Sequence, residues 1–377
     1  MPRRVPLLLA VLLAAGTVPR AEAADPAPQL KLTLPPVCYA VVGAGVSIYY
    51  DNIVLTQKPE EYRFAVRCDA GTAEDRRWTV TPGPGDVGDH PMVVSVSDAG
   101  GKVLQQGKLT LRVAPADAGA GREIRLLIVG DSLTHATVYP NEIARLLSQP
   151  GNPAWTMLGT HRPASAAKGV AHEGYGGWTW QRFVSHYVAK PDRAKRIFGS
   201  PFVFADRDGK PRLDVARYFE TSCGGQRPDY AVFLLGINDC FSANPEDLKA
   251  IDDRIDAVFT HADKLIDAFR KAAPQAELGI CLTTTPNARE SGFEANYHGR
   301  YHRWGWKRIQ HRLVQRELEH FGARQSQRIA VIPTELNLDP VDGYPANNGV
   351  HPNATGYRQI GASIFAWLKA RLAAAQP

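Results

Sequence analysis

Four short stretches carry residue types that could act together. The first is Leu126-Leu127-Ile128-Val129-Gly130-Asp131-Ser132-Leu133-Thr134-His135. Its apolar run ending in a turn fits a buried parallel strand with a serine just past its end. Open α/β sheets hold their ligands at that edge. The second, His172-Glu173-Gly174-Tyr175-Gly176-Gly177-Trp178-Thr179-Trp180, brings glycine N–H groups to a helix start, where negative charge is favoured. The third, Leu234-Leu235-Gly236-Ile237-Asn238-Asp239-Cys240, puts an amide side chain at another strand end. The fourth, Asn347-Asn348-Gly349-Val350-His351-Pro352-Asn353, sets a histidine before a C-terminal helix. Singly, each has a plainer account as a capped turn, a glycine-rich loop, an Asn-Asp turn or a structural histidine.

Jointly they describe acyl transfer. A serine hydroxyl is a weak nucleophile until a base takes its proton. His351 could take it from Ser132 and return it to a leaving alcohol. The N–H groups of Ser132 and Gly177 and the Asn238 amide could receive the oxyanion.

In type and order the four blocks resemble the SGNH (GDSL-type) hydrolase family over roughly residues 123–373. The resemblance implies a flavodoxin-like, three-layer α/β/α fold with a five-stranded parallel sheet. It implies Ser132 as nucleophile, His351 as base, and Ser132, Gly177 and Asn238 as the oxyanion hole, with no metal and no cofactor. The chain departs from the family where Asp-x-x-His is usual, because Asn348 stands in place of the aspartate. The carboxylate that orients the histidine is then missing or comes from Asp339, Asp342 or Glu335. A Ser-His dyad backed by a carbonyl is the other arrangement. Some carbohydrate esterases of this superfamily, with a β-sandwich ahead of the hydrolase, are similar in architecture.

The elements that must position these residues are legible from residue 125 onward. Strands are expected at Arg125–Val129, Trp155–Gly159, Tyr230–Leu235, Glu277–Thr283 and Ile329–Pro333. Helices are expected at Tyr139–Ser148, Trp178–His186, Pro245–Ala272, Gly305–Phe321 and Gly356–Ala373. No G-x-G-x-x-G follows a strand and no Walker loop occurs, so a nucleotide cofactor has no support. Upstream, short β-rich segments from Leu30–Leu34 to Lys108–Val113 suggest a small all-β sandwich over residues 24–118. The Pro115–Gly121 stretch reads as a linker, and residues 119–377 as the α/β domain.

Residues 1–23 read as a secretory signal: Arg3 and Arg4, a short apolar run, then Ala21-Glu22-Ala23. A secreted or periplasmic location is expected, with no integral membrane span once the signal is removed. Removing it leaves 41 Lys plus Arg against 37 Asp plus Glu, a net +4 that is too mild and dispersed for nucleic acid. Export permits disulfides. Cys38 with Cys68, and Cys240 with Cys281, are candidate pairs beside the plainer reading of free thiols.

The expected substrate is an acylated saccharide or other small ester, with O-acetyl groups on a polysaccharide favoured. Thr284–Trp306 is rich in polar and aromatic groups, and Asn287, Tyr297 and Trp304 with Asp131, Tyr175 and Trp178 are the candidate substrate contacts. Three rival readings are a lipase or thioesterase, a metal-dependent phosphoesterase built on Asp131, His135, Asp239 and His351, and a non-catalytic glycan-binding protein.

Overall fold

The computed structural model describes residues 30–191 and 198–375. The signal reading therefore lies outside the described residues.

The N-terminal part contains β1 (Val37–Val41), β2 (Val46–Tyr49), α1 (Tyr50–Ile53), β3 (Arg63–Arg67), β4 (Thr72–Ala73), β5 (Arg77–Val80), β6 (Gly88–Ser97) and β7 (Val103–Ala114). They form a four-stranded sheet, β1-β7-β6-β3, and a three-stranded one, β2-β5-β4. Alternating residues point inward, as the two-residue period of a strand requires. Cys38, Ile48, Trp78, Val94 and Leu111 share one buried cluster. Leu30–Leu34, expected as a strand, contributes only an isolated bridge from Leu32 to Val54.

The second part runs through β8 (Glu123–Gly130), α2 (Ser132–His135), α3 (Val138–Leu147), β9 (Ala154–Leu158), β10 (Glu173–Gly174), α4 (Trp180–Ser185), β11 (Val203–Ala205), β12 (Pro211–Leu213) and α5 (Val215–Ser222). It continues with β13 (Tyr230–Leu234), α6 (Ile237–Cys240), α7 (Leu248–Ala272), β14 (Glu277–Cys281), α8 (Glu290–Tyr297), α9 (Arg303–Phe321), β15 (Ile329–Ile332), α10 (Thr334–Asn337) and α11 (Ala354–Ala374). Five strands were expected in its sheet; it has six, the extra one being the two-residue β10. All pairings are parallel: β9 lies along the start of β8, β10 along its end, and β13, β14 and β15 follow on the other side. Ala231 and Phe233 face a cluster with residues of α4, α5, α7 and α9, whereas Tyr230, Val232 and Leu234 face one with α3 and α11. Alternation along one strand thus makes three layers, and the strand ends carrying Ser132 and Asn238 share an edge.

The Pro115–Gly121 stretch is not a free spacer. Ala118 is fully buried and its carbonyl accepts from the Lys369 ammonium on α11. Val37, Tyr39 and Val41 of β1 also join the α3–α11 cluster, so both parts share a core. All five cysteines are free thiols, which removes both candidate disulfides. No described helix is long and apolar enough to cross a membrane.

Candidate active site

The position of Ser132 is built from the end of β8. A Cβ on Gly130 would sit 1.9 Å from Thr134 Oγ1 and 3.0 Å from the Leu234 carbonyl, so the chain can turn there only without a side chain. Asp131 then caps α2, its Oδ1 accepting from Leu133 N at 2.9 Å. Ser132 is the first residue of α2, where a helix leaves its N–H without an intrahelical partner. Its Oγ lies 2.9 Å from Nε2 of His351.

His351 arrives on the loop between α10 and α11. Asn348 Oδ1 accepts from the backbone N–H of Val350 (3.0 Å) and of His351 (2.9 Å). Asn287, fully buried, donates from Nδ2 to the carbonyls of Pro345 and Asn348, both at 2.9 Å, and its N–H donates to Gly349 O. Burial pulls the His351 pKa below its ordinary 6.5, and among the described residues no carboxylate acts against that.

Of the expected orienting carboxylates, Asp339 is engaged elsewhere, Asp342 is exposed, and Glu335 is buried with its Oε2 unpartnered among the described residues. Asp339 Oδ1 accepts from Arg76 (2.8 Å), Val341 N (2.8 Å) and Asp342 N (3.1 Å). The Asp342 side chain is 70% exposed and sits 3.6 Å from Arg76. Glu335 is buried on α10, and desolvation raises its pKa to about 8. Among the described residues none of the three, nor the Asn348 side chain, is hydrogen-bonded to the imidazole. Asn348 acts on the backbone of the histidine, not on its ring.

Asn238 is at the start of α6, next to Ser132. Its Nδ2 donates to Asp131 Oδ2 at 3.2 Å and to Trp178 O at 3.0 Å. Those contacts tie together the Ser132 turn, the α6 turn and the Gly176–Thr179 loop. Asp239 Oδ2 adds to the tie by accepting from Trp180 N at 3.2 Å. Gly177 is exposed on that loop with φ +71, a left-handed conformation that suits glycine. Burial lifts the Asp131 carboxyl to about 7, so near neutral pH it is partly protonated and a weak competitor for the Asn238 N–H.

Four expected substrate contacts are corrected. Tyr175 and Trp178 are each 2% exposed and belong to the core; the Tyr175 hydroxyl donates to Glu173 Oε2 at 2.5 Å. Asn287 is too deeply buried to meet a ligand and braces the histidine loop instead. Trp306, not Trp304, lines the cleft, because its helical position faces Phe241 and Tyr297. Tyr297 and Asp131 do line it. Phe241 was missed, since one aromatic after a short turn has no periodic signal. The cleft around Ser132 and His351 encloses about 100 Å³.

The four residues of the metal reading do not converge. Asp131 caps α2, His135 Nδ1 lies 3.3 Å from Gly174 O, Asp239 holds Trp180 N and His351 meets Ser132. Among the described residues no group of three or more His, Cys, Asp or Glu side chains could hold a metal ion.

Fold and site thus define an α/β/α protein with a serine–histidine pair at the carboxyl edge of a parallel sheet. No family model matches the chain, and neither does any curated protein. Among solved structures, a family 3 carbohydrate esterase from Clostridium thermocellum is similar at 18% identity and TM-score 0.41, over 67% of this chain and 100% of that one. Est24, a carbohydrate acetylesterase from Sinorhizobium meliloti, is similar at 14% identity and TM-score 0.37, over 66% and 99%. An aryl esterase of M. smegmatis gives 14% and 0.35, over 65% and 98%. Likeness at this level concerns the path of the chain, and the case for the site stands on its own geometry.

Proposed function

We propose that this protein is an exported serine esterase that removes short acyl groups, foremost O-acetyl groups, from a saccharide. The observation that carries this reading is the 2.9 Å contact between Ser132 Oγ and His351 Nε2 beside Asn238. Ser132 attacks the ester carbonyl while its proton passes to Nε2. The oxyanion forms next to the Ser132 and Gly177 N–H groups and the Asn238 amide. The negative charge draws one Asn238 hydrogen away from the long 3.2 Å contact with Asp131. The imidazolium then protonates the leaving alcohol, and water repeats the sequence to free the enzyme.

A cleft of about 100 Å³ walled by Phe241, Tyr297 and Trp306 suits a short acyl chain. Aromatic rings with polar groups at hand suit the faces of a sugar as the alcohol. The test is acetate release from a panel of acetylated glycans, with Ser132→Ala as the blank. Acetyl, butyryl and octanoyl esters are compared in parallel. Rates should fall from acetyl to octanoyl. A preference for octanoyl would replace this reading with a lipase or thioesterase, and glycan binding without acetate release would leave only a binding protein.

A further inference from the structure

A second cavity lies between the N-terminal sheets and the α/β domain. It encloses about 540 Å³, within the usual range of ligand sites and several times the ester cleft. Its wall is aromatic on one side. Phe64 and Tyr62 are the half-buried rings that line it, and Tyr50, 3% exposed, stacks behind Phe64 with centroids 4.7 Å apart and planes 8° apart. The Tyr50 hydroxyl is buried with no hydrogen-bond partner among the described residues, an uncommon state for a buried polar group.

The charges that line it sort into engaged and open ones. Asp51 is paired with Lys307, and Arg76 with Asp339. Among the described residues Glu60 and Asp75 form no ion pair, and the Arg303 side chain makes only a 3.3 Å bond to the Gln57 carbonyl. The open set is two carboxylates against one guanidinium. Aromatic faces flanked by open carboxylates, with a slight negative balance, fit a neutral polyhydroxylated ligand and disfavour a polyanion.

The two cavities share their walls. In the loop after β14, Pro286 lines the ester cleft and Ala288 the larger cavity, at most about 7 Å apart along the chain. On α9, Trp306 faces the first and Arg303, one turn earlier, the second. The loop before α11 gives His351 to one and Pro340 and Val341 to the other. We infer that the interdomain cavity is a saccharide-binding site that holds a neutral stretch of the same glycan whose ester is cleaved at Ser132. This rests on the saccharide reading of the substrate.

The test uses full-length Ser132→Ala protein titrated calorimetrically with neutral, unacetylated hexasaccharides of xylose, glucose and mannose. A uronic-acid hexasaccharide is run beside them. At least one neutral hexasaccharide should bind. Tyr62→Ala and the near-isosteric pair Glu60→Gln/Asp75→Asn should each weaken it about tenfold or more. With Ser132 restored, the same changes should raise KM on the acetylated oligosaccharide, leaving the loss out of kcat. Neutral binding that these variants do not weaken overturns the site, as does tighter binding of the uronic-acid ligand. Hydrolysis of 4-nitrophenyl acetate by the unaltered enzyme separates the two claims. If it fails while the hexasaccharide binds at the cavity, only the esterase reading falls; if it succeeds and no hexasaccharide binds, only the cavity assignment falls.

Discussion

Asn348 stands where an orienting carboxylate is expected, yet its side chain serves the backbone. Asn348→Ala leaves the N–H groups of Val350 and His351 without their acceptor. Each lost bond costs about 1 kcal/mol, so the loop loses about 2 kcal/mol. If all of that appears as misplacement of His351, kcat/KM falls by about 30-fold. Ser132→Ala or His351→Ala removes the reacting groups themselves and should cost ~10³-fold or more. Asn348→Asp keeps both acceptors and makes them charge-assisted. It also places a negative charge near the imidazole and raises the His351 pKa from its depressed value. The base works only when neutral. In the unaltered protein the proposed activity should therefore hold to below pH 6.5, and in Asn348→Asp the acid limb should move upward while the plateau stays within a few-fold. The assay is kcat/KM for 4-nitrophenyl acetate across about pH 4.5–8, with circular dichroism to check folding. Loss in Asn348→Ala equal to that of His351→Ala, with folding intact, would refute the backbone role. So would an acid limb that does not move in Asn348→Asp.

Three further outcomes follow from the same geometry. Asn238→Ala should lower kcat on acetyl esters by ~10²–10³ through loss of an oxyanion donor, measured by steady-state kinetics. Asn287→Ala should leave the Pro345 and Asn348 carbonyls unpaired, costing roughly 2 kcal/mol in urea unfolding and lowering kcat without any contact with substrate. Glu317 is buried and its pKa is raised from 4.5 to about 8 by desolvation, so the folded chain holds a proton that the unfolded chain releases. Its contribution is full below about pH 4.5 and is lost as pH rises through 8; Glu317→Gln should match the parent near pH 5 and exceed it in Tm near pH 8.5.

The strands and helices around the site were legible because their periodicity is set by burial. β8, β13 and β14 are covered on both faces and read as mostly apolar runs, α7 carries a helical stripe, and α11 is apolar along most of its length because it is buried against both α3 and β1. The two-residue β10 was not legible: its pairing depends on the end of β8 passing beside it, which no local pattern encodes. Asn287 and Trp304 were misassigned for one reason. A polar or aromatic residue in a loop looks the same whether it faces a ligand or a neighbouring loop, and only tertiary packing separates the two. Asp339, like Asp342 and Glu335, is a candidate for orienting the ring only through its closeness in sequence to His351. Arg76, more than 250 positions upstream, claims it.

That last contact bears on why the N-terminal sheets are attached at all. Asn52 donates to the carbonyls of Glu335 (2.6 Å) and Leu338 (2.8 Å), and Asn337 donates to Ser47 O at 2.9 Å. Arg76 holds Asp339, which in turn accepts the N–H groups of Val341 and Asp342. Every one of these bonds fixes the segment that leads from α10 to His351. In a complete triad a carboxylate holds the imidazole directly and stabilises its charge. Here the ring has no such partner among the described residues, and its geometry depends on how firmly its loop is held. The N-terminal sheets supply part of that hold from outside the α/β domain. Arg76→Ala should therefore lower kcat by severalfold while the Ser132 and His351 side chains remain in place, an effect that a mere spacer would not produce. Unchanged kcat in Arg76→Ala would reduce the sheets to a stabilising role.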